Sequence, residues 1–215
     1  MIALSDYTIS TPEDGRLHYR AVKGNQTLQG RYYQNMRTRA KNPNYKALYP
    51  TYKDVSITPF MEDFQLFAEW CLHQKGFGYK GFVLDKDITC KGNQVYDENK
   101  CVFVPPVINA FILNNYSKVR NEELPIGVTL DKRCGKYMAC CARLNSKNTT
   151  IGRFKTTTEA GIAYINFKNN LALVLADTWK PYIDERVYDF LLSYNVQEHC
   201  DNVRCTHPLY NKENI

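Results

Sequence analysis

The residues whose types and spacing point most directly to chemistry are two aspartates after an apolar run. Asp85 and Asp87 stand two positions apart, directly after the run 81–84, and a Gly92-Asn93 turn comes shortly after them. Carboxylate oxygens are hard donors of the kind that bind Mg²⁺ or Mn²⁺. The order of the surrounding elements decides whether such a pair has a place for a cation.

The elements around the two aspartates have the order strand, turn, strand and helix. The second strand is the apolar run 101–104, which ends at two prolines and opens into a predicted helix at residues 107–115 that carries Asn109. A unit of this outline can hold one divalent cation between a strand end and a helix. We therefore predict a central ββα-metal unit, and no organic cofactor.

Downstream, three runs with strand character precede one helix. They lie at residues 125–130, 136–144 and 149–154, with turn-rich linkers between them. Thr156 to Thr158 followed by Glu159 is typical of a helix start. The pattern predicts a three-stranded antiparallel sheet with one packing helix, so the fold class of the chain is α+β.

The positive charge of the chain is concentrated in one segment. Residues 118–168 contain ten lysines and arginines against four acids, an excess equal to the net charge of +6 of the whole chain. Attraction to phosphate is the simplest use of such a segment, and a solvated basic face is the alternative. A second basic and aromatic region, residues 31–49, places Arg37 and Arg39 on a predicted helix that stops near Asn42-Pro43. This helix can contact a nucleic-acid backbone or pack its tyrosines into a core. Another helix is predicted to begin after Thr58 and to run through Cys71.

The cysteine pattern and the lack of long apolar runs favour a cytoplasmic protein without membrane association. The eight cysteines include no CxxC pair, and we expect reduced, mostly buried thiols. No run approaches the roughly 20 apolar residues that span a bilayer, and Met1 to Asp6 lacks the features of a secretion signal. The tail contains the potential metal ligands His199, Cys200, Cys205 and His207 in no common zinc spacing, and a frayed tail is the alternative.

These patterns divide the chain into five segments. They are a polar N-terminal segment (1–30), a helical and ββα domain (31–118), the sheet module (119–170), C-terminal helices (171–196) and a polar tail (197–215).

Together, the motifs resemble phage-encoded proteins of the HNH homing-endonuclease type that carry a C-terminal Apetala/ERF-type DNA-binding domain. Tyr33 to Trp70 is similar to the family's N-terminal part, and Leu84 to Asn109 resembles a diverged HNH unit. The most specific likeness lies between Ile126 and Phe167, in Gly127-Val128, Lys136-Tyr137-x-Ala139, Ile151-Gly152-x-Phe154 and Thr158-Glu159-Ala160-x-x-Ala163-Tyr164. The resemblance covers about two-thirds of the chain.

The resemblance implies double-stranded DNA as a partner. In the Apetala/ERF module a three-stranded sheet lies in the major groove, and basic and aromatic residues of its exposed face contact DNA. The matching candidates are Arg133, Lys136, Tyr137, Arg143, Lys147, Arg153 and Lys155, to which we add Arg37 and Arg39. Strand alternation separates Lys136, Met138 and Cys140 from Tyr137, Ala139 and Cys141, but it leaves open which set packs on the helix.

The HNH half of the resemblance implies metal-dependent phosphodiester hydrolysis. A working HNH site has a histidine at the end of the first strand as general base, whereas this chain has Asp85-Lys86 there. Asp85 and Asn109 remain as hard oxygen ligands for Mg²⁺ or Mn²⁺. Asp87 is a candidate third ligand or base, and Asn93 a candidate to orient one of these groups.

Two interpretations of the function follow. The first is a DNA-binding protein of homing-endonuclease type that hydrolyses phosphodiester bonds with a divalent metal. The alternative is a catalytically silent DNA-binding regulator or a phage protein that binds a host protein, in which Asp85, Asp87 and Asn93 only form a turn. If the protein is phage-encoded, we expect it in the cytoplasm of the bacterial host cell.

Overall fold

The computed structural model describes residues 7–8, 18–19, 22–23, 25–113, 124–144 and 147–197. These residues form two compact units. Unit 1 comprises the described residues up to Pro106 together with Tyr182–Val187, and unit 2 comprises Val107–Pro181 and those from Tyr188 onward. Both contain helices, and strands occur in each, which confirms the mixed α+β class.

The first two helices of unit 1 begin at side-chain caps. Helix α1 (Leu28–Lys41) starts at Thr27, whose hydroxyl accepts a hydrogen bond from the N–H of Gly30 at 3.0 Å. Asn42 ends α1 and caps α2 (Pro43–Leu48). The predicted helix with a stop at Asn42-Pro43 is thus confirmed, and Tyr32, Tyr33 and Met36 form its buried face.

The single helix predicted after Thr58 is wrong, because Asp63 divides it. Helix α3 (Pro59–Glu62) ends at Asp63, and the Asp63 carboxylate accepts hydrogen bonds from the N–H groups of Gln65 and Leu66, at 2.8 and 3.1 Å. These bonds start the next helix, α4 (Phe64–His73). A helix-interior position would give the same carboxylate no backbone donors.

The strands of unit 1 are short and form two-stranded pairs. They are β1 (Tyr7–Thr8) with β2 (His18–Tyr19), β3 (Val22–Lys23) with β4 (Asn25–Gln26), β5 (Ser56–Ile57) with β7 (Val95–Tyr96), and β6 (Val83–Asp85) with β8 (Val102–Val104). The pair β5–β7 is parallel and the others are antiparallel. The two apolar runs on either side of the aspartates therefore pair with each other, as the sequence predicts.

An aromatic core fixes the β6–β8 pair. Phe103 is fully buried and lies opposite Leu84 in the strand register. Its ring centroid lies 4.9 Å from that of Tyr32 on α1 and 5.8 Å from that of Trp70 on α4. The aromatic core therefore fixes the position of the end of β6, which carries Asp85.

Unit 2 contains the predicted sheet module. Helix α5 (Pro106–Leu113) begins at the boundary between the units. It is followed along the chain by β9 (Val128–Asp131), β10 (Lys136–Leu144) and β11 (Lys147–Phe154), which form an antiparallel sheet with β10 in the centre. Helix α6 (Thr157–Trp179) starts with a capping box between Thr156 and Glu159.

Helix α6 is longer than predicted and crosses residue 170, where the sequence suggested a new segment. Its buried stripe continues through Leu171, Ala172 and Leu175, and no proline interrupts it before Pro181. Helix α7 (Glu185–Leu192) follows. No helix in the described part of the chain is long and apolar enough to cross a membrane.

The described cysteines are free thiols, but only half of them are buried. Cys71, Cys101 and Cys141 lie in the interior, Cys140 is half-buried, and Cys90 and Cys134 are exposed. The expectation of mostly buried thiols therefore fails for the two that lie in turns.

Candidate functional site

Helix α6 covers one face of the sheet and leaves the other open. Ala139 and Cys141 of β10 are buried. Burial raises the pKa of the Cys141 thiol, and the nearby ammonium of Lys168 on α6 offsets part of the increase. Strand alternation therefore puts Lys136, Met138 and Cys140 on the opposite side. We call that side the open face.

Cationic side chains from two neighbouring strands lie on the open face. Arg153 of β11 pairs with Met138 of β10 in the strand register, and Lys136 pairs with Asp131 of β9. The Nε of Arg153 donates to the Asp131 carboxylate at 2.9 Å. This bond, with the N–H of Arg133, holds the pKa of Asp131 below its usual value. The guanidinium of Arg153 is thus oriented, while about half of its side chain stays exposed.

The β9–β10 turn presents a further cation. Asp131 accepts the N–H of Arg133 at 3.1 Å, which fixes the turn backbone, and the turn closes at Gly135 with a φ of 67°. Arg133 is exposed at this turn, as is Lys155 after β11. Both are continuous in sequence with the strands that carry the open face.

The structure describes no exposed open-face side chain for three other predicted DNA contacts, Tyr137, Arg143 and Lys147. Tyr137 shares the α6 side of β10 with Ala139 and is half-buried. Arg143 and Lys147 belong to β10 and β11, but their side chains lie outside the described part. Lys168, counted with the basic segment, is buried, donates to the Phe111 carbonyl at 2.6 Å and lies over the Phe111 ring.

The aspartates of unit 1 form a hydrogen-bonded turn, residues 85–93, which we call the acidic turn. One oxygen of Asp85 accepts the N–H groups of Asp87 and Ile88 at 3.0 and 2.8 Å. The amide nitrogen of Asn93 donates to the carbonyls of Lys86 and Val95, each at 2.7 Å. The polar side chains predicted for chemistry therefore also hold the backbone of this turn.

Lys86 lies between the two aspartates, and its side chain is buried. Its ammonium donates to the Asp87 carboxylate at 3.0 Å and to the Asn93 carbonyl at 2.8 Å. A buried lysine needs such partners because an unpaired buried charge is costly. Lys86 thus neutralises one carboxylate of the turn.

The two carboxylates of the acidic turn are close enough to disturb each other. Burial raises the pKa of Asp85 to about 6, and the charge of Asp87 contributes to the increase. A divalent cation would relieve this repulsion, so the pair suits Mg²⁺ or Mn²⁺ chemically. A larger donor set is not formed: within the described residues, no three or more His, Cys, Asp or Glu side chains are grouped for a metal.

The other predicted metal ligands are not among the described residues of unit 1. Asn109 lies half-buried on α5 and belongs to unit 2, whereas Asp85 belongs to unit 1. The ligands suggested for the tail, His199, Cys200, Cys205 and His207, lie outside the described residues.

The two arginines of α1 have different surroundings. Arg37 is exposed, with its guanidinium 5.6 Å from the ring centroid of Tyr33. Arg39 is half-buried, and its Nη1 lies 3.5 Å from the hydroxyl of Tyr96. Helical spacing alone could not separate them, because the tyrosine that meets Arg39 is 57 positions away in the sequence.

The open face therefore offers exposed cations, whereas the acidic turn uses most of its polar atoms on its own backbone. Comparisons of the chain with known protein families, with curated proteins and with solved structures gave no match to any of them.

Proposed function

We propose that the protein binds double-stranded DNA through the open face of the β9–β10–β11 sheet. The observation that carries this proposal is the presence of Lys136 and Arg153 on adjacent strands of a face that α6 leaves uncovered. Lys136 lies two residues before Met138, the register partner of Arg153, so the two cations are diagonal neighbours about 7–8 Å apart. This spacing suits the closely spaced charges of a nucleic-acid backbone. Arg133 and Lys155 extend the same basic surface.

The packing of α6 on the sheet supports the likeness to the Apetala/ERF module. A side chain at Gly127 would overlap the ring of Tyr164 on α6, and one at Gly152 would come within 2.9 Å of the Phe154 ring. The small and aromatic positions of the motif thus meet each other in space. We propose the family's mode of DNA contact on the basis of this motif and the exposed cations.

Duplex affinity measured by fluorescence anisotropy tests the proposal. We expect Lys136→Gln and Arg153→Gln each to weaken binding about three- to tenfold. Each substitution should also reduce the slope of log affinity against log salt by about 0.9 for every phosphate that is no longer neutralised. Lys80→Gln is the matched control, because it removes one exposed lysine of unit 1. Equal reductions in all three variants, or binding that does not depend on salt, would contradict the assignment.

A second candidate function is metal-dependent phosphodiester hydrolysis at the acidic turn. The observation that favours it is the close pair of carboxylates with a raised pKa at Asp85. Asp85 and Asp87 would hold the ion, with Lys86 keeping the Asp87 carboxylate in place. When bound, Mg²⁺ or Mn²⁺ polarises a phosphoryl oxygen and lowers the pKa of bound water.

Nicking of supercoiled plasmid with Mg²⁺ or Mn²⁺ tests the second candidate. We expect Asp85→Ala and Asp87→Ala to abolish it, and Asn109→Ala tests the other ligand expected from the sequence. Unchanged nicking in the aspartate variants would place the site elsewhere. If the wild type binds duplex without nicking it, the catalytically silent DNA-binding alternative holds, and a pulldown from nuclease-treated bacterial lysate then tests for a host protein partner.

A further inference from the structure

A small cavity in unit 1 has no role in either function above. It has a volume of about 50 Å³ and lies between α1, β6 and β7. Its lining is mostly apolar and includes Met36, Val83 and Leu84, and its polar atoms come from Asn35, Arg39, Tyr32 and Tyr96. The volume exceeds the roughly 10–15 Å³ that one water requires, so the cavity has room for a small polar group beside the guanidinium.

Tyrosines surround the guanidinium of Arg39. The ring centroid of Tyr52 lies 5.8 Å from it, and the Tyr96 hydroxyl lies 3.5 Å from its Nη1. Burial lowers the pKa of Arg39. Hydrogen bonds and charge interactions with the hydroxyls of Tyr96, Tyr52 and Tyr45 raise this pKa by a larger amount, so the net shift is upward. The group is therefore a permanent cation in a half-buried position.

This cation has no ion pair among the described residues. None of the ion pairs formed within the described part includes Arg39, and hydroxyls supply dipoles rather than a compensating charge. A guanidinium fork presents parallel N–H groups that match the oxygens of a phosphate.

We propose that Arg39, together with Asn35 and the hydroxyl of Tyr96, forms a binding site for one phosphate group. The chemistry of the ligand is a phosphate monoanion or dianion, either inorganic phosphate or a phosphate of the nucleic-acid backbone. The backbone source rests on the proposed DNA-binding function, whereas the site itself does not. Arg39 makes the bidentate contact, and the Tyr96 hydroxyl and the Asn35 amide donate to the remaining oxygens.

Titration with inorganic phosphate at constant ionic strength tests the site. We expect phosphate to raise the Tm of the wild type and to shift the Arg39 Nε–Hε resonance in ¹H–¹⁵N spectra. Arg39→Gln should weaken phosphate binding at least tenfold, and Arg39→Lys should weaken it less, because lysine keeps the charge and lacks the fork. Arg31→Gln on the exposed side of α1 is the matched control, and we expect it to bind phosphate as the wild type does.

A second variant, which keeps the packing, tests the site even if Arg39→Gln does not fold. Tyr96→Phe removes only a hydroxyl, and we expect it to weaken phosphate binding at least threefold with an unchanged circular dichroism spectrum. No effect of phosphate on the wild type, or equal phosphate affinity in Arg39→Gln and Arg31→Gln, would overturn the proposal.

A parallel titration with duplex DNA separates this site from the sheet and identifies the source of the phosphate. Lys136→Gln should bind duplex more weakly and keep the phosphate response. If the wild type binds phosphate at Arg39 but no duplex, the site stands and the DNA-binding function fails. If Arg39→Gln weakens both phosphate and duplex binding, the ligand is a backbone phosphate; if it weakens only phosphate binding, the ligand is the free ion.

Discussion

Replacement of Gly127 by alanine should destabilise the sheet module by much more than a helix or loop glycine normally would. Gly127 has a φ of 73°, and a Cβ atom there would overlap the Tyr164 ring. An L-residue in the left-handed region costs about 1–2 kcal/mol. Forcing a ring out of a packed interior adds about 1–3 kcal/mol. We therefore expect Gly127→Ala to reduce stability by about 2–5 kcal/mol.

Gly135 offers a matched control for the backbone contribution. Its φ is 67°, but a Cβ atom there would meet no heavy atom within 4 Å. Gly135→Ala should therefore cost only the backbone contribution of about 1–2 kcal/mol. The difference between the two variants isolates the packing of Gly127 against Tyr164 of α6.

Hydrogen exchange of the β10 amides is the appropriate measurement, because two units need not unfold together. We expect the free energy of opening at Ala139, which is fully buried, to fall by the stated amounts. Amides of unit 1, such as that of Phe103, should be much less affected. If Gly127→Ala and Gly135→Ala lower the protection of β10 equally, the proposed clash with Tyr164 does not limit stability.

Three further variants test other interactions. Thr156→Ala removes the oxygen that accepts the Glu159 N–H at 3.2 Å and should lower the stability of unit 2 by about 1 kcal/mol; unchanged exchange in the first turn of α6 would contradict this. Arg186→Met removes hydrogen bonds to Asp184 and to the Asn99 and Cys101 carbonyls and should cost about 1–2 kcal/mol in urea unfolding followed by tryptophan fluorescence. Asp85→Asn can keep both N–H acceptances of the turn, and without divalent metal at pH 7.5 it should stabilise unit 1 by at most about 3 kcal/mol. The raised pKa of Asp85, about 6, means that the folded state holds this proton more tightly than the unfolded chain does. Wild-type stability should therefore fall relative to Asp85→Asn as the pH rises from about 4 to about 7. A stability difference between the two proteins that does not depend on pH would refute the assignment.

Local signals in the sequence were sufficient for the sheet module. Thr156 and Glu159 lie three positions apart and cap α6 through bonds within one turn, so the pattern needs no distant residue. The β10 alternation likewise follows from neighbouring positions. The face that packs on α6 was not predictable, because both sets contain residues that can be buried, and the choice depends on the placement of Tyr164 and Lys168 on the helix.

Some side chains can serve two roles, and the sequence alone does not show which role they take. Asp63 is compatible with a helix interior in sequence, but in the structure it caps α4, which breaks the helix predicted there. Asn93 is a plausible orienting residue, yet its amide is hydrogen-bonded to two backbone carbonyls. Spacing shows which groups are near each other along the chain, whereas hydrogen-bond geometry decides which of them remain available.

The phosphate site proposed at Arg39 was beyond prediction for a different reason. Its Tyr96 comes from β7, so only the packing of unit 1 brings this hydroxyl to Arg39 on α1. The sequence shows an arginine on a helix and tyrosines elsewhere, which is equally typical of a surface contact. Half-burial of the guanidinium distinguishes Arg39 from Arg37.

The hydrogen bonds of the acidic turn make the proposed DNA binding and the proposed cleavage separable properties. Asp85 already accepts two N–H groups through one oxygen, and Lys86 neutralises Asp87. The turn is therefore held without a cation, and a metal ion would bind chiefly through the remaining carboxylate oxygens and water. The proposed affinity for duplex depends instead on Lys136 and Arg153 in unit 2. Substitutions at the acidic turn should thus change nicking without changing affinity, and those on the open face should reduce both.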